Sequence, residues 1–324
     1  MNAAAGRTHG KRRPPALAYF LLTLTAFFLA CNHVIGRSVQ GVIPPLGLSF
    51  WRWVAGAVIL APFVLRRPGA LRRIFVHHVR VMLWLGAMLI GSTSLILVAL
   101  NSTTAITVSV INSVQPCLTV LFAWVFLRQP LSGRQLLGVA TACLGVLVML
   151  SEGRWLTLSG FRLNGGGLIA LLAMCGFSGY AVGLSKLPSE LSFGESLWGI
   201  IVMGSLALLP FYLLESAWSG PVPLNPHTVG VVLTLALLVS VLGMLMWNYG
   251  NQRVGPSRAA VFINLIPVFG MLLATTFLGE TIRGFHIIGA ACTITGILLV
   301  VRKTQRTLAP ANPGSAVYGQ SMEE

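Results

Sequence analysis

The sequence predicts an all-α polytopic membrane protein, with ten transmembrane helices arranged as two inverted five-helix repeats around a central cavity. The first reason is composition. Apolar residues make up 55% of the 324 residues and charged residues only 9%, whereas a soluble domain carries roughly 25% charge. The second and third reasons are an internal repeat and an uneven distribution of basic residues along the chain.

Ten apolar runs are long enough to be membrane spans, because a helix needs about 20 residues to cross the bilayer core. The first run follows Lys11, Arg12 and Arg13. It is too long for the apolar core of a signal peptide and is interpreted as a retained span. The predicted spans are 16–36, 46–65, 81–99, 104–127, 134–150, 166–185, 195–214, 229–249, 257–279 and 284–301.

The second half of the chain repeats the first. Pro116 and Pro267 are 151 residues apart, and 10 of the 35 positions from 116 to 150 match at this offset without a gap. The matches include three glycine pairs: Gly133 and Gly284, Gly138 and Gly289, and Gly145 and Gly296. Five spans per copy is an odd number, so the second copy must cross the membrane in the opposite sense. Inverted repeats of this kind are a common design of secondary transporters.

The repeat divides the chain into two units with short flanking segments. The predicted organisation is a cytoplasmic N-terminal tail (1–15), a first repeat (16–150), a linker (151–165), a second repeat (166–303) and a disordered cytoplasmic tail (304–324). The tail prediction rests on the absence of an apolar period after Lys303.

Basic residues predict the orientation. With both termini in the cytoplasm, 17 of the 22 Lys and Arg residues fall on the cytoplasmic side and 4 on the outer side, which matches the positive-inside rule. The net charge of +15 is therefore attributed to residues that orient the spans and contact anionic lipid head groups. No nucleic-acid partner is predicted. Arg outnumbers Lys 19 to 3, which is typical of a GC-rich bacterial genome. The predicted location is the bacterial inner membrane.

The sequence contains no set of residues typical of an enzyme. It has no Asp, no P-loop and no catalytic triad. The five cysteines all lie in apolar runs without metal-binding spacing. We therefore predict that the protein is not an enzyme and has no cofactor and no metal site.

Several motifs resemble a known family. The ninth span opens with Gly255-Pro256 and ends in the sequence FLGET (277–281), and glycine pairs recur in the fifth and tenth spans. These features resemble the EamA-domain family of the drug/metabolite transporter superfamily. The resemblance implies two inverted five-helix halves and the export of small metabolites such as amino acids. One departure is Gln129, which stands where the family usually places Glu.

Polar residues inside the spans are the candidate functional residues, because polar groups are expensive in a bilayer. Arg52 either binds a substrate carboxylate or extends to the outer interface beside two tryptophans. His33 either couples protons or is a hydrogen-bond donor between helices. The other candidates for lining a cavity, with helix packing as the alternative role, are Asn32, Tyr180, Trp247, Asn248 and Asn264.

Three further residues are interpreted at the level of the fold. Pro116 and Pro267 each remove a backbone hydrogen bond and are predicted to kink the fourth and ninth spans, as hinges or as static features. Glu280, beside Arg283 at the membrane edge, is interpreted as a gating or proton-linked carboxylate, or as a helix-end charge that pairs or caps the short turn into the tenth span.

We therefore predict a secondary transporter, with export of amino acids or related metabolites by alternating access as the first hypothesis. Multidrug or other organic-solute efflux is the alternative, and a non-transporting membrane sensor or scaffold is a third. The expected partners are a small-molecule substrate, the lipid bilayer and protons as a coupling ion, with the protein as a monomer or homodimer.

Overall fold

The computed structural model describes residues 16–67, 69–128, 132–151, 164–184, 187, 191–254 and 262–301. The described part of the chain forms helices and connecting turns, without a strand. A short turn of helix (Ala70–Arg72) and a π-helix (Arg73–His77) follow the second helix. The main helices are α1 (Ala16–Ser38), α2 (Pro45–Leu65), α3 (Val79–Leu100), α4 (Ala105–Asn112), α5 (Gln115–Leu127), α6 (Gly133–Leu150), α7 (Gly165–Gly183), α8 (Phe193–Ser219), α9 (Pro226–Leu235), a π-helical segment (Ala236–Gly243), α10 (Met244–Val254), α11 (Leu265–Leu278) and α12 (Gly284–Val301).

Six helices are long and apolar enough to cross a membrane: α1, α2, α3, α7, α8 and the continuous stretch Pro226–Trp247. The pair α4 and α5 is a seventh if the two are one broken span, and α6, α11 and α12 are shorter apolar helices. An all-helical multi-pass membrane protein is thus confirmed. The full count of ten spans remains a prediction.

The kink predicted in the span 104–127 is present, because α4 and α5 meet at an angle of about 40°. The break falls at Ser113 and Val114, just before Pro116 at the start of α5. Proline has no N–H to donate and its ring crowds the preceding turn, so a helix breaks on its N-terminal side. The span predicted over 195–214 is also longer than expected, since α8 continues to Ser219.

The second copy has the same break. Asn264, which corresponds to Ser113 at the 151-residue offset, forms a turn before α11. The backbone angles at Asn264 are φ −69° and ψ −7°, and those at Ser113 are φ −68° and ψ −11°. Corresponding positions of the two copies therefore adopt nearly the same conformation at the bend.

The helices that follow the two bends also end alike. Arg128 after α5 has φ +52°, and Gly279 after α11 has φ +64°. The N–H of Arg128 bonds to the carbonyl of Ala123, and the N–H of Gly279 bonds to the carbonyl of Ala274, which is its counterpart at the same offset. This left-handed cap suits glycine. Arg128 adopts the same left-handed conformation although it is not a glycine. The two copies therefore share the backbone conformation at this position but differ in the residue.

Helices α6 and α12 pack through the repeated glycines. A Cβ on Gly145 would lie 2.7 Å from the carbonyl oxygen of Gly289, and a Cβ on Gly296 would lie 2.5 Å from that of Gly138. The contacts run 138 to 296 and 145 to 289, so the two helices are antiparallel. At the 151-residue offset, Gly138 corresponds to Gly289 and Gly145 to Gly296, so the two contacts are equivalent in the repeat. A two-fold axis between the repeats produces this pattern of self-complementary contacts.

Helix α3 occupies the centre of the bundle, where it packs against α7 and α8. Its contact with α8 depends on Gly86 and Gly204, because a Cβ on either would lie 2.5 Å from the other's backbone. One apolar cluster lies around α3, α4 and α7 and a second around α2, α3 and α8. Helices α1 and α2 lie beside these clusters and carry the polar residues described next.

Candidate functional site

Arg52 is a fully enclosed arginine on α2, with 0% of its surface exposed. It lies seven residues after Pro45, where α2 begins, which places it about 10 Å along the helix. Its Nη1 donates a hydrogen bond of 2.6 Å to Oδ1 of Asn32 on α1. Its Cζ lies 5.3 Å from the centre of the Trp53 ring. This buried placement differs from that of an arginine that extends to the lipid head groups.

Two donors of Arg52 have no partner. Its Nε and Nη2 are buried and make no hydrogen bond with the described part of the chain. The ion pairs found there involve other arginines, Arg37 and Arg73. Burying an unpaired guanidinium is costly, because its attraction to water is lost without a replacement. Arg52 therefore keeps a positive charge and two directed donors inside the bundle, next to the amide of Asn32 and the ring of Trp53 and within electrostatic range of His33.

The unpaired donors form one edge of the guanidinium group. Nη2 lies trans to Cδ and thus on the same side as the N–H of Nε, so the two N–H bonds point the same way. A fork of this kind matches the two oxygens of a carboxylate. Asn32 occupies the opposite side of the group, through Nη1. This edge of the guanidinium group could therefore bind an oxyanion while Asn32 holds its other side.

His33 lies next to Asn32 in sequence but on another face of α1. Its Nδ1 is 2.9 Å from Oγ of Ser109 on α4, and both residues are buried. Ser109 in turn packs closely on Gly270 of α11, where a Cβ would clash with the serine hydroxyl. His33 therefore belongs to a polar contact between α1, α4 and α11, and it also lies within electrostatic range of Arg52.

The remaining predicted candidates differ in their burial and in their neighbours. Tyr180 on α7 is buried in the same apolar cluster as Trp53, the neighbour of Arg52. Trp247 on α10 is half-buried and packs against α1. Asn264 lies at the bend before α11, and its Oδ1 is buried without a partner in the described structure. The side chain of Asn248 lies outside the described residues.

Two buried serines, Ser109 and Ser240, were not predicted as candidates from the sequence. Ser240 lies on the π-helical segment, is 0% exposed, and its Oγ has no partner among the described residues. Its Cβ would lie 3.4 Å from a Cβ placed on Gly56, one helical turn after Arg52 on α2. Single serines in apolar runs carry no signal in a sequence. A π-helix is a frequent mark of functional sites, but its hydrogen-bond pattern is not encoded in apolar periodicity.

Glu280 caps a helix other than the expected one. Its Oε1 accepts a hydrogen bond of 2.9 Å from the N–H of Ala105, and its Oε2 one of 3.1 Å from the N–H of Ile106, at the start of α4. Its ion-pair partner is Arg37 at 3.9 Å, whereas the sequence had placed it beside Arg283. A carboxylate at a helix N-terminus satisfies free N–H groups and complements the helix dipole.

A second carboxylate makes the same kind of contact. Glu215 near the end of α8 accepts hydrogen bonds from the N–H groups of Leu46 (3.0 Å) and Gly47 (2.7 Å) at the start of α2. In both cases a residue from the second half of the chain caps a helix of the first half. Arg73 and Glu195 form an ion pair between α8 and the π-helix that follows α2.

The fold defines a class, that of multi-pass helical membrane proteins, and in the described residues several polar side chains are enclosed between the helices. Comparison with known families specifies it further. The chain belongs to the EamA-like transporter family, whose model matches residues 16–151 and again residues 164–302. Members of this family belong to the drug/metabolite transporter superfamily and are transporters, not enzymes.

Relatives with known names are transporters from bacteria and archaea. The uncharacterized transporter YyaM of Bacillus subtilis is 26% identical over 284 residues, which cover 86% of this chain and 92% of that protein. A probable amino-acid metabolite efflux pump of Salmonella typhimurium is 30% identical over 190 residues, 56% of this chain and 62% of that protein. A probable terminal-alkyne amino-acid exporter of Streptantibioticus cattleyicolor is 26% identical over 200 residues, 61% of this chain and 64% of that protein.

A solved crystal structure of a protein also resembles this chain. It matches with a TM-score of 0.57 and 18% identity, over 86% of this chain and 94% of the other. At this level of identity the likeness concerns the fold alone. Together with the membrane-length helices, the bacterial relatives indicate a multi-pass protein of the inner membrane.

Proposed function

We propose that this protein is a secondary transporter that exports small carboxylate-bearing metabolites, amino acids first, across the bacterial inner membrane. The observation that carries the proposal is the unpaired edge of Arg52, whose Nε and Nη2 are buried without a partner in the described structure. A substrate carboxylate would bind this edge side-on, while Asn32 holds the other side of the group. The names of the Salmonella and Streptantibioticus relatives support amino acids as the substrate class.

The proposed mechanism is alternating access between two inverted halves, residues 16–150 and 166–303. Supporting observations are the antiparallel packing of α6 and α12 through glycines that correspond in the repeat, and the equivalent bends at Ser113 and Asn264. Because Arg52 is 0% exposed, the site is closed to solvent in this structure. A substrate reaches it only when the halves move apart, which rocking of one repeat against the other would achieve.

Protons are the proposed coupling ion, and His33 is the residue proposed to carry them, since histidine changes its charge closest to neutral pH. Its contact with Ser109 lies against Gly270 of the second half. A charge on His33 would therefore act on a contact between the halves. We expect His33→Gln to retain exchange of substrate while losing the response to a pH gradient. A response that persists in this variant would assign coupling to another group.

Transport in proteoliposomes tests the substrate class. The panel pairs each amino acid with the amine that has the same side chain but lacks the carboxylate, with and without a pH gradient. We expect transport of the amino acids and little transport of the amines. Multidrug efflux by the same fold predicts the opposite preference, for amines and other cations. A folded protein that moves no compound of the panel would favour a membrane sensor or scaffold.

A further inference from the structure

A groove with a volume of about 430 Å³ lies between the second half of α2, the start of α8 and the π-helical segment with the first residues of α10. Phe63 on its α2 side is 70% exposed and Leu237 on its π-helical side is 45% exposed. Because these helices are membrane spans, both side chains face the lipid, so the groove opens sideways into the bilayer. Its other apolar lining residues are Ile59, Leu60, Val64, Val241, Leu242 and Leu245.

The groove lies beside a contact between α2 and the π-helical segment. The two touch at Gly56, where a Cβ would lie 3.4 Å from Cβ of Ser240 and 3.7 Å from Cγ2 of Val241. Val241 also lines the groove, as does Leu60, one turn after Gly56 on α2. From there it follows α2 down to Arg67, just beyond the end of the helix. A groove whose walls are mostly apolar side chains suits a hydrocarbon chain.

The lower end of the groove is positively charged. Arg67 lines it and is exposed, as is the adjacent Arg66. Neither guanidinium has an acidic partner in the described structure, whose ion pairs involve Arg37 and Arg73. Glu195 also lines the groove, but its carboxylate is bonded to Arg73 and to the N–H of Ser192. The net charge available to a ligand at this end is therefore positive.

We propose that this groove binds one acyl chain of an anionic phospholipid, with the lipid phosphate held by Arg66 and Arg67. The apolar walls match the chain, and the two arginines match the head group at the end of the span. Paired basic residues at the cytoplasmic end of a span attract anionic lipids. The proposed topology places this end in the cytoplasm. The proposal concerns the lipid-facing side of α2 and does not depend on the substrate proposed for Arg52.

Native mass spectrometry of the detergent-purified protein tests the proposal, with phosphatidylglycerol and phosphatidylcholine of the same chain length added in equal amounts. We expect retained phosphatidylglycerol on the wild type. The double variant Arg66→Gln/Arg67→Gln should lose about fivefold in this preference per arginine, about 25-fold in all. Leu237→Trp, which fills the groove, should reduce retention of both lipids. The matched control is Arg80→Gln, an exposed arginine outside the groove.

Several outcomes would overturn the proposal. Equal retention of the two lipids would show that the groove has no head-group selectivity. An equal loss in Arg80→Gln would show diffuse surface charge instead of a site. Displacement of phosphatidylglycerol by inorganic phosphate would show an ion site without a chain. If Leu237→Trp fails to fold, Leu242→Phe fills the same groove from the next turn, and unchanged retention in that variant would place the lipid elsewhere.

Discussion

Replacement of Arg52 by Gln distinguishes a role of Arg52 in substrate binding from a role in stability, because the two roles predict opposite effects on stability. In the wild type, Nε and Nη2 of Arg52 have no partner in the described structure, and Nη1 bonds to Asn32. Gln removes the charge and the fork, while its amide can still approach Asn32. Removing a buried charge that lacks an ionic partner is neutral or stabilising, whereas breaking a buried ion pair typically costs 3–5 kcal/mol. We therefore expect Arg52→Gln to be as stable as the wild type or more stable.

Substrate binding should change in the opposite direction. Each hydrogen bond to a charged group contributes about 1.5–3 kcal/mol. Loss of both bonds to a carboxylate costs at least about 3 kcal/mol, which is roughly a 150-fold loss in affinity. Arg52→Lys keeps a point charge without the fork and should lose about tenfold. The loss should be found in KM, since the interaction is made with the bound substrate.

Two measurements on the same preparations check this prediction. One is SDS-induced unfolding without substrate; the other is proteoliposome uptake over a range of concentrations. Saturating substrate at about 100 times Kd should add about 2.7 kcal/mol of stability to the wild type and much less to Arg52→Gln. Arg80→Gln is the control for a loss of surface charge. Arg52→Gln that unfolds more easily than the wild type by over about 2 kcal/mol would refute the reasoning, as would unchanged uptake.

Three further predictions concern helix ends and helix packing. Glu280→Gln weakens the cap on α4 and the pair with Arg37, so hydrogen exchange should become faster in the first turn of α4, corresponding to about 1 kcal/mol. Arg128→Gly replaces a residue at φ +52° and should raise the free energy of unfolding by about 1 kcal/mol. Gly296→Ala places a Cβ 2.5 Å from the carbonyl oxygen of Gly138 and should lower the free energy of unfolding by about 2 kcal/mol or more.

Each of these has a result that would contradict it. Unchanged exchange in Glu280→Gln would mean that the cap is held by other contacts. Arg128→Gly with equal or lower stability would show that the arginine side chain compensates for its backbone conformation. For Gly296→Ala the control is Gly284→Ala, because no atom lies within 4 Å of a Cβ at Gly284. Equal effects of the two alanine variants would show that the close contact between α6 and α12 is not the cause.

The repeat predicted more of the fold than composition did. Pro116 and Pro267 indicated two kinks: a turn lies three residues before each proline, and the first turn bends the chain by about 40° between α4 and α5. The helix is interrupted before each proline because proline donates no backbone hydrogen bond to the preceding turn. The π-helical segment Ala236–Gly243 could not be predicted. Its sequence is uniformly apolar, and a uniform run is compatible with either hydrogen-bond pattern.

The candidate site was predictable in its residues but not in its contacts. The cost of polar groups in a bilayer singled out Asn32, His33 and Arg52. The bond between Asn32 and Arg52, and that between His33 and Ser109, depend on the rotation of α1 about its axis. Adjacent residues on a helix point about 100° apart. The sequence therefore identified the polar groups, whereas packing determined that Arg52 bonds to Asn32 and His33 to Ser109.

The contacts at the two ends of the bundle differ because the repeat is imperfect. Glu215 and Glu280 of the second half each cap a helix of the first half, α2 and α4, at the end that the proposed topology places outside. The position that corresponds to Glu280 in the first copy is Gln129, which lacks a charge. Opening the outer end thus breaks two charged caps, whereas opening the inner end breaks one ion pair between the halves in the described structure, Arg73–Glu195. We therefore expect the halves to rest closed on the outside, and Glu280→Gln to make this end open more readily.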